Sequence, residues 1–170
     1  MTISMYQASV PVYLQYLNSI SAVLDKGAAF AEAKKIDPTV LLQTRLYPDM
    51  HPLVKQVQIF TDQATRGVSR LAGVEPPPFP DTEANFADLK ARIAKAIAHV
   101  QSFTPEQIDG SEGRDIVMKT PRGDLTFKGL QYLLGFSLPN FFFHATTTYA
   151  ILRHVGVEVG KMDFMGGPPR

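Results

Sequence analysis

At 170 residues, 45% of them hydrophobic, the chain can bury a full core without crosslinks, and it is read as one domain over residues 1–170. It contains no cysteine, which excludes disulfide frameworks, thiolate zinc sites and cysteine nucleophiles. A net charge of +1, with lysine and arginine spread along the chain, gives no case for nucleic acid as a partner.

The first periodic segment covers residues 4–25, with Tyr13, Leu14, Leu17, Ile20 and Leu24 at helical spacing. Pro11 lies early in it, so the regular helix is expected to start near Ser9 or to kink there. An alanine-rich continuation over 28–35 follows. Asp37 and Pro38 then read as an N-cap and first helical residue of a short turn through Gln43. The second long helix is expected to be capped by Asp49, with Pro52 in its first turn and Leu53, Val57, Phe60, Ala64, Val68 and Leu71 forming its stripe. Gly73 ends it. The linker GVEPPPFPD reads as an extended crossing over the bundle.

A third helix from Asp81 or Thr82 carries Phe86, Leu89, Ile93, Ile97, Val100 and Phe103 on one face, with Lys90, Arg92 and Lys95 off it. Thr104 and Pro105 can cap a further turn. The segment RDIVMKTPRGDLTFKG then reads as a hairpin of strands 116–119 and 125–127, with Thr126 doubling as cap of the last helix. The tail VEVGKMDFMGGPPR is glycine- and proline-rich and is expected to be partly ordered by packing. Four long helices, one long crossover and a small hairpin describe an all-α bundle.

Residues 129–152, GLQYLLGFSLPNFFFHATTTYAIL, contain no Asp, Glu, Lys or Arg. Their polar residues and Pro139 argue for a buried helix, bent or broken at Pro139, and against a membrane span. Turning 100° per residue from Asn140 puts Asn140, His144, Thr147, Thr148, Ile151 and Val155 on one side. Phe142, Ala145 and Tyr149 lie towards the other, a face read as a subunit contact and hence a homodimer.

No Gly-rich phosphate loop, HExxH, GxSxG or paired Glu-x-x-His occurs, so the histidines are the candidates for chemistry. His144 is either a metal-binding or proton-shuttling imidazole on the polar strip, or a core histidine bonded to a threonine or a backbone carbonyl. His51 falls opposite the Leu53, Val57, Phe60 stripe on an ideal helix and is expected to face solvent unless the first turn is irregular. His99 and His154 are expected at the surface or in packing roles. Arg153 suits the C-terminal end of its helix, and Asp62 is expected to pair with it or with Arg66. An N-terminus without a basic start or a small-residue cleavage site predicts a cytoplasmic protein.

Three stretches, MYQASVPVYLQYL, RLYPDMHPLVKQVQ and above all LPNFFFHATTTYAILRHVGVEVGKMDF, resemble the DinB/YfiT-like superfamily of bacterial four-helix bundles, and more closely a branch of it known as a domain of unknown function. The resemblance implies a compact bundle, often a homodimer, with a divalent metal such as zinc or nickel held by three histidines in the members that have one. One histidine comes from the second helix and two from the fourth, one turn apart. His144 matches the first of that pair, and the position one turn on is Thr148. His51 stands nearest the second-helix ligand. Two functions follow as expectations. In the first, the chain is a small-molecule-binding or interaction bundle with a degenerate metal site and a pocket lined by Asn140, His144 and Thr148. In the second it is a metal-dependent thiol transferase using His144 and His51, in which the metal would lower the pKa of a bound thiol or water.

Overall fold

The computed structural model describes residues 3–121 and 123–167. Four long helices form the bundle: α1 (Met5–Lys34), α3 (Leu53–Ala72), α4 (Phe86–Gln101) and α7 (Leu138–His154). Shorter elements fill the connections: α2 (Pro38–Leu42), α5 (Pro105–Ile108), strands β1 (Asp115–Met118) and β2 (Leu125–Lys128), α6 (Gly129–Tyr132) and α8 (Lys161–Met165). Around the bundle the long helices follow the order α1, α4, α3, α7. The core between them is built from the stripes seen in the sequence, among them Tyr13, Leu17, Phe60, Val68 and Ile93, and from Phe141 and Leu152 of α7, which the sequence reading did not single out.

Helix α1 is one element from Met5 through the alanine-rich continuation, and it starts before Ser9, where its start or a kink was expected. Ser4 caps it in a capping box with Gln7, and Lys35 closes it in the left-handed region at φ 53°. Pro11 lies on the exposed side, so the carbonyl it leaves unbonded faces water. Gly27 is buried because its Cβ position approaches Leu152 and Phe86 to 3.1 Å, so it is a close-packing glycine, not a breaker.

Thr61 meets Arg92 and Ser69 meets His99, so α3 and α4 run parallel. That direction requires the long crossover. Thirteen residues separate the two helices; at about 3.1 Å per extended residue they span about 40 Å, enough to return along a 20-residue helix of about 30 Å. Helix α4 starts at Phe86, later than expected, because Asn85 accepts from the Asp88 amide at 2.9 Å while Asp81 and Glu83 are drawn to Arg92.

Strands β1 and β2 pair antiparallel, with Val117 opposite Thr126. Thr126 is therefore a strand residue, and the cap position of the next helix falls to Lys128. A π-helical turn over Leu133–Ser137 joins α6 to α7. Pro139 thus does not break the chain's helical course: it lies in the first turn of α7, where its missing donor is tolerated, directly after the wider turn in which the Leu138 amide donates to the Leu133 carbonyl. No helix among the described residues is long and apolar enough to cross a membrane.

The tail folds back as α8 along α1. Phe164 contacts Tyr16 and Tyr149 at centroid distances of 5.2 and 5.8 Å, and Lys26 pairs with Asp163 at 2.8 Å. Phe142 packs edge-on to Tyr16 at 4.8 Å. The aromatic face assigned above to a second subunit is therefore half-covered by the chain itself.

Candidate functional site

The seam between α3 and α7 carries the polar strip. Phe60 stacks on Phe141 with centroids 4.5 Å apart, which fixes the register of the two antiparallel helices. One turn before Phe60 comes Gln56, and three residues after Phe141 comes His144, so the two meet. His144 Nδ1 lies 2.7 Å from Gln56 Oε1, and Gln56 Nε2 donates to the His51 carbonyl at 2.9 Å.

This chain of bonds has one consistent polarity. A backbone carbonyl only accepts, so the Gln56 amide must present its NH2 to His51 and its oxygen to His144. His144 must then carry its proton on Nδ1, and Nε2 keeps a lone pair. No described residue hydrogen-bonds Nε2, and the atom is absent from the buried unpartnered polar atoms, Gln63 Oε1 and Ser111 Oγ. Its tip therefore reaches solvent although the residue is 8% exposed. Burial, helped by the nearby His51, pushes the imidazole down to about 4, so it is neutral near pH 7.

His51 lies outside α3, which begins only at Leu53 with Pro52 in extended conformation at the cap position. Asp49 does not cap it. His51 is exposed, as the face argument expected, yet close enough to His144 to act on its charge. Phe143, 56% exposed, sets its ring edge-on to His144 at 5.2 Å.

The threonines of the strip are spent on their own helix. Thr148 Oγ1 donates to the His144 carbonyl at 2.9 Å, and Thr147 Oγ1 to the Phe143 carbonyl at 2.8 Å. Asn140 is half-buried one turn before His144. Among the described residues, surface hollows of about 400 to 510 Å³ lie elsewhere, and Asn140, His144 and Thr148 line none of these. Among the described residues no group of three or more His, Asp or Glu side chains is placed to hold a metal ion. With Thr148 bonded inward, the donors present do not fit a three-ligand site of the zinc type.

The other candidates resolve into structural roles. His99 bonds Ser69 Oγ at 2.9 Å and stands edge-on to Phe103, and burial lowers its pKa. His154 and Arg153 are exposed at the end of α7. Asp62 pairs with Arg66 at 2.8 Å and, unexpectedly, with Arg92 at 2.6 Å. Arg92 is buried, bonded also to Thr61 and Glu83, and lies over the Phe79 ring at 5.5 Å. Its placement three residues after Leu89 was the available signal, since that step returns to the buried face.

Residues 5–165 match the family described as Domain of unknown function (DUF1993). Among solved structures, the chain is similar to a DinB family member protein from Shewanella denitrificans, with 38% identity over 97% of this chain and 93% of that one, at a TM-score of 0.88. No curated protein matches.

Proposed function

The chain belongs to the DUF1993 family and is a DinB-like helical bundle, and from that premise we propose that it is a small-molecule-binding or interaction protein whose working group is the Nε2 lone pair of His144. The observation that carries this reading is the unpartnered, solvent-reaching Nε2 of an imidazole that is otherwise buried and held by Gln56. An acceptor held in one orientation at the surface of a seam can take a donor from outside the protein in place of water. A homodimer belongs to the same proposal, on the strength of the resemblance.

One observation favours the second reading, a metal-dependent thiol transferase: His51 lies near His144, so two imidazoles share this corner of the molecule. Elemental analysis of untagged protein separates the two, before and after dialysis against zinc, nickel and manganese, and repeated on His144→Ala. The binding reading expects no stoichiometric metal, and thermal shifts with small ligands that vanish in the variant. Near-stoichiometric metal lost on His144→Ala would favour the transferase reading instead, to be followed by a screen of thiol substrates. Ligand-induced shifts that are unchanged in the variant would overturn both.

A further inference from the structure

We propose that Gln56 is a specificity-determining residue: by fixing His144 as the Nδ1–H tautomer it makes the site a hydrogen-bond acceptor, selective for a neutral hydroxyl or N–H donor on an aromatic body and closed to anions. The inference rests on the reading of His144 as a binding group.

The polarity starts at a group that cannot change. The His51 carbonyl accepts from Gln56 Nε2 at 2.9 Å, which leaves Oε1 as the only atom Gln56 can offer at 2.7 Å to His144. Gln56 is 1% exposed on a helix whose neighbouring turns are core, so its amide has no room to turn to water. Inverting it would let the NH2 donate to a bare Nδ1 but would set two oxygens against each other at His51 and leave a buried Oε1 without a donor. Nε2 is thereby an acceptor in every arrangement that satisfies the amide. An anion approaching it meets a lone pair, whereas a hydroxyl or N–H finds its complement. The exposed Phe143 ring beside the imidazole supplies an apolar flank for the body of such a ligand.

Long-range 15N–1H correlation spectra of the free protein near pH 7 read the tautomer directly, and phenol and benzoate serve as paired probes with one ring and opposite hydrogen-bonding character. The expected result is a His144 with Nδ1 protonated and Nε2 bare, shifted by phenol and left unmoved by benzoate. In Gln56→Leu the His144 signals should move towards a mixture of both neutral tautomers, with the preference for phenol reduced severalfold or lost. A wild-type His144 protonated on Nε2 would overturn the proposal whether or not the leucine variant folds. A correct tautomer with no response to either probe would overturn the reading of His144 as a binding group while leaving the role of Gln56 on its tautomer intact. Equal responses to phenol and benzoate would overturn the selectivity.

Discussion

His144 puts a titratable group where charge is unwelcome, and that has a measurable sign. Its pKa falls from 6.5 in the unfolded chain to about 4 in the fold, because burial and His51 both disfavour the imidazolium. The unfolded state therefore binds the proton first, and stability present above pH 6.5 is lost as the pH falls through 6.5 towards 4. Urea midpoints at pH 7 and pH 4.5 should show this loss in the wild type. His144→Gln should lose less over the same interval, keeping only the slope contributed by His99 and other groups. Parallel losses in the two proteins would mean that His144 titrates normally when folded. The charge-free run and the position of His144 on its polar side were legible in the sequence. Its partner was not: Gln56 lies 88 residues away, and a glutamine on a helix announces nothing about which atom it will face.

Elements meet tightly where α1, α3 and the π-helical turn converge. Gly67 on α3 has Tyr13 Oη 2.6 Å and Ser137 Oγ 2.9 Å from the position of an added Cβ, and those two hydroxyls are bonded to each other at 2.8 Å. Alanine there gains helix propensity worth about 1 kcal/mol but must displace a buried bonded pair, an overpacking cost of about 1–3 kcal/mol. The steric term should win, so Gly67→Ala lowers the urea midpoint. In a Tyr13→Phe background the same substitution should cost less, because the closest atom is gone. Additive losses in the double-mutant cycle would place the strain elsewhere. Apolar spacing made the long helices and the hairpin readable, since each buries one stripe. The π-helical turn was beyond it: Pro139 signals a missing donor, but whether the chain breaks, kinks or widens depends on what packs beneath, here Tyr13 against Ser137.

At the scale of the whole molecule, the parallel pair α3 and α4 makes the fold depend on the strap between them. The strap is proline-rich, so it has few amides to bond, and one buried cation makes most of its charged ties to the bundle, with Gln58 of α3 also donating to Glu83 at 2.8 Å. Arg92 joins Asp62 of α3 at 2.6 Å to Glu83 and Asp81 of the strap at 3.1 and 3.2 Å, and donates to the Pro80 carbonyl at 3.0 Å. Lys55 adds a second tie to Asp81 at 2.5 Å, but both of its partners are exposed and it counts for less. Removing the guanidinium leaves Glu83, 8% exposed at its side chain, without a counter-charge, and leaves Asp62, 16% exposed, with only the half-exposed Arg66. Breaking one side of such a buried network typically costs about 3–5 kcal/mol. Arg92→Ala should therefore lower the urea midpoint well below that of Glu83→Gln, which leaves Arg92 still paired with Asp62. Native-state hydrogen exchange supplies the local readout: the amides of residues 81–84 should exchange faster in Arg92→Ala, while those of α7 around His144 change only as far as global stability does. Unchanged exchange over 81–84 would mean that the prolines and Phe79 hold the strap by packing alone.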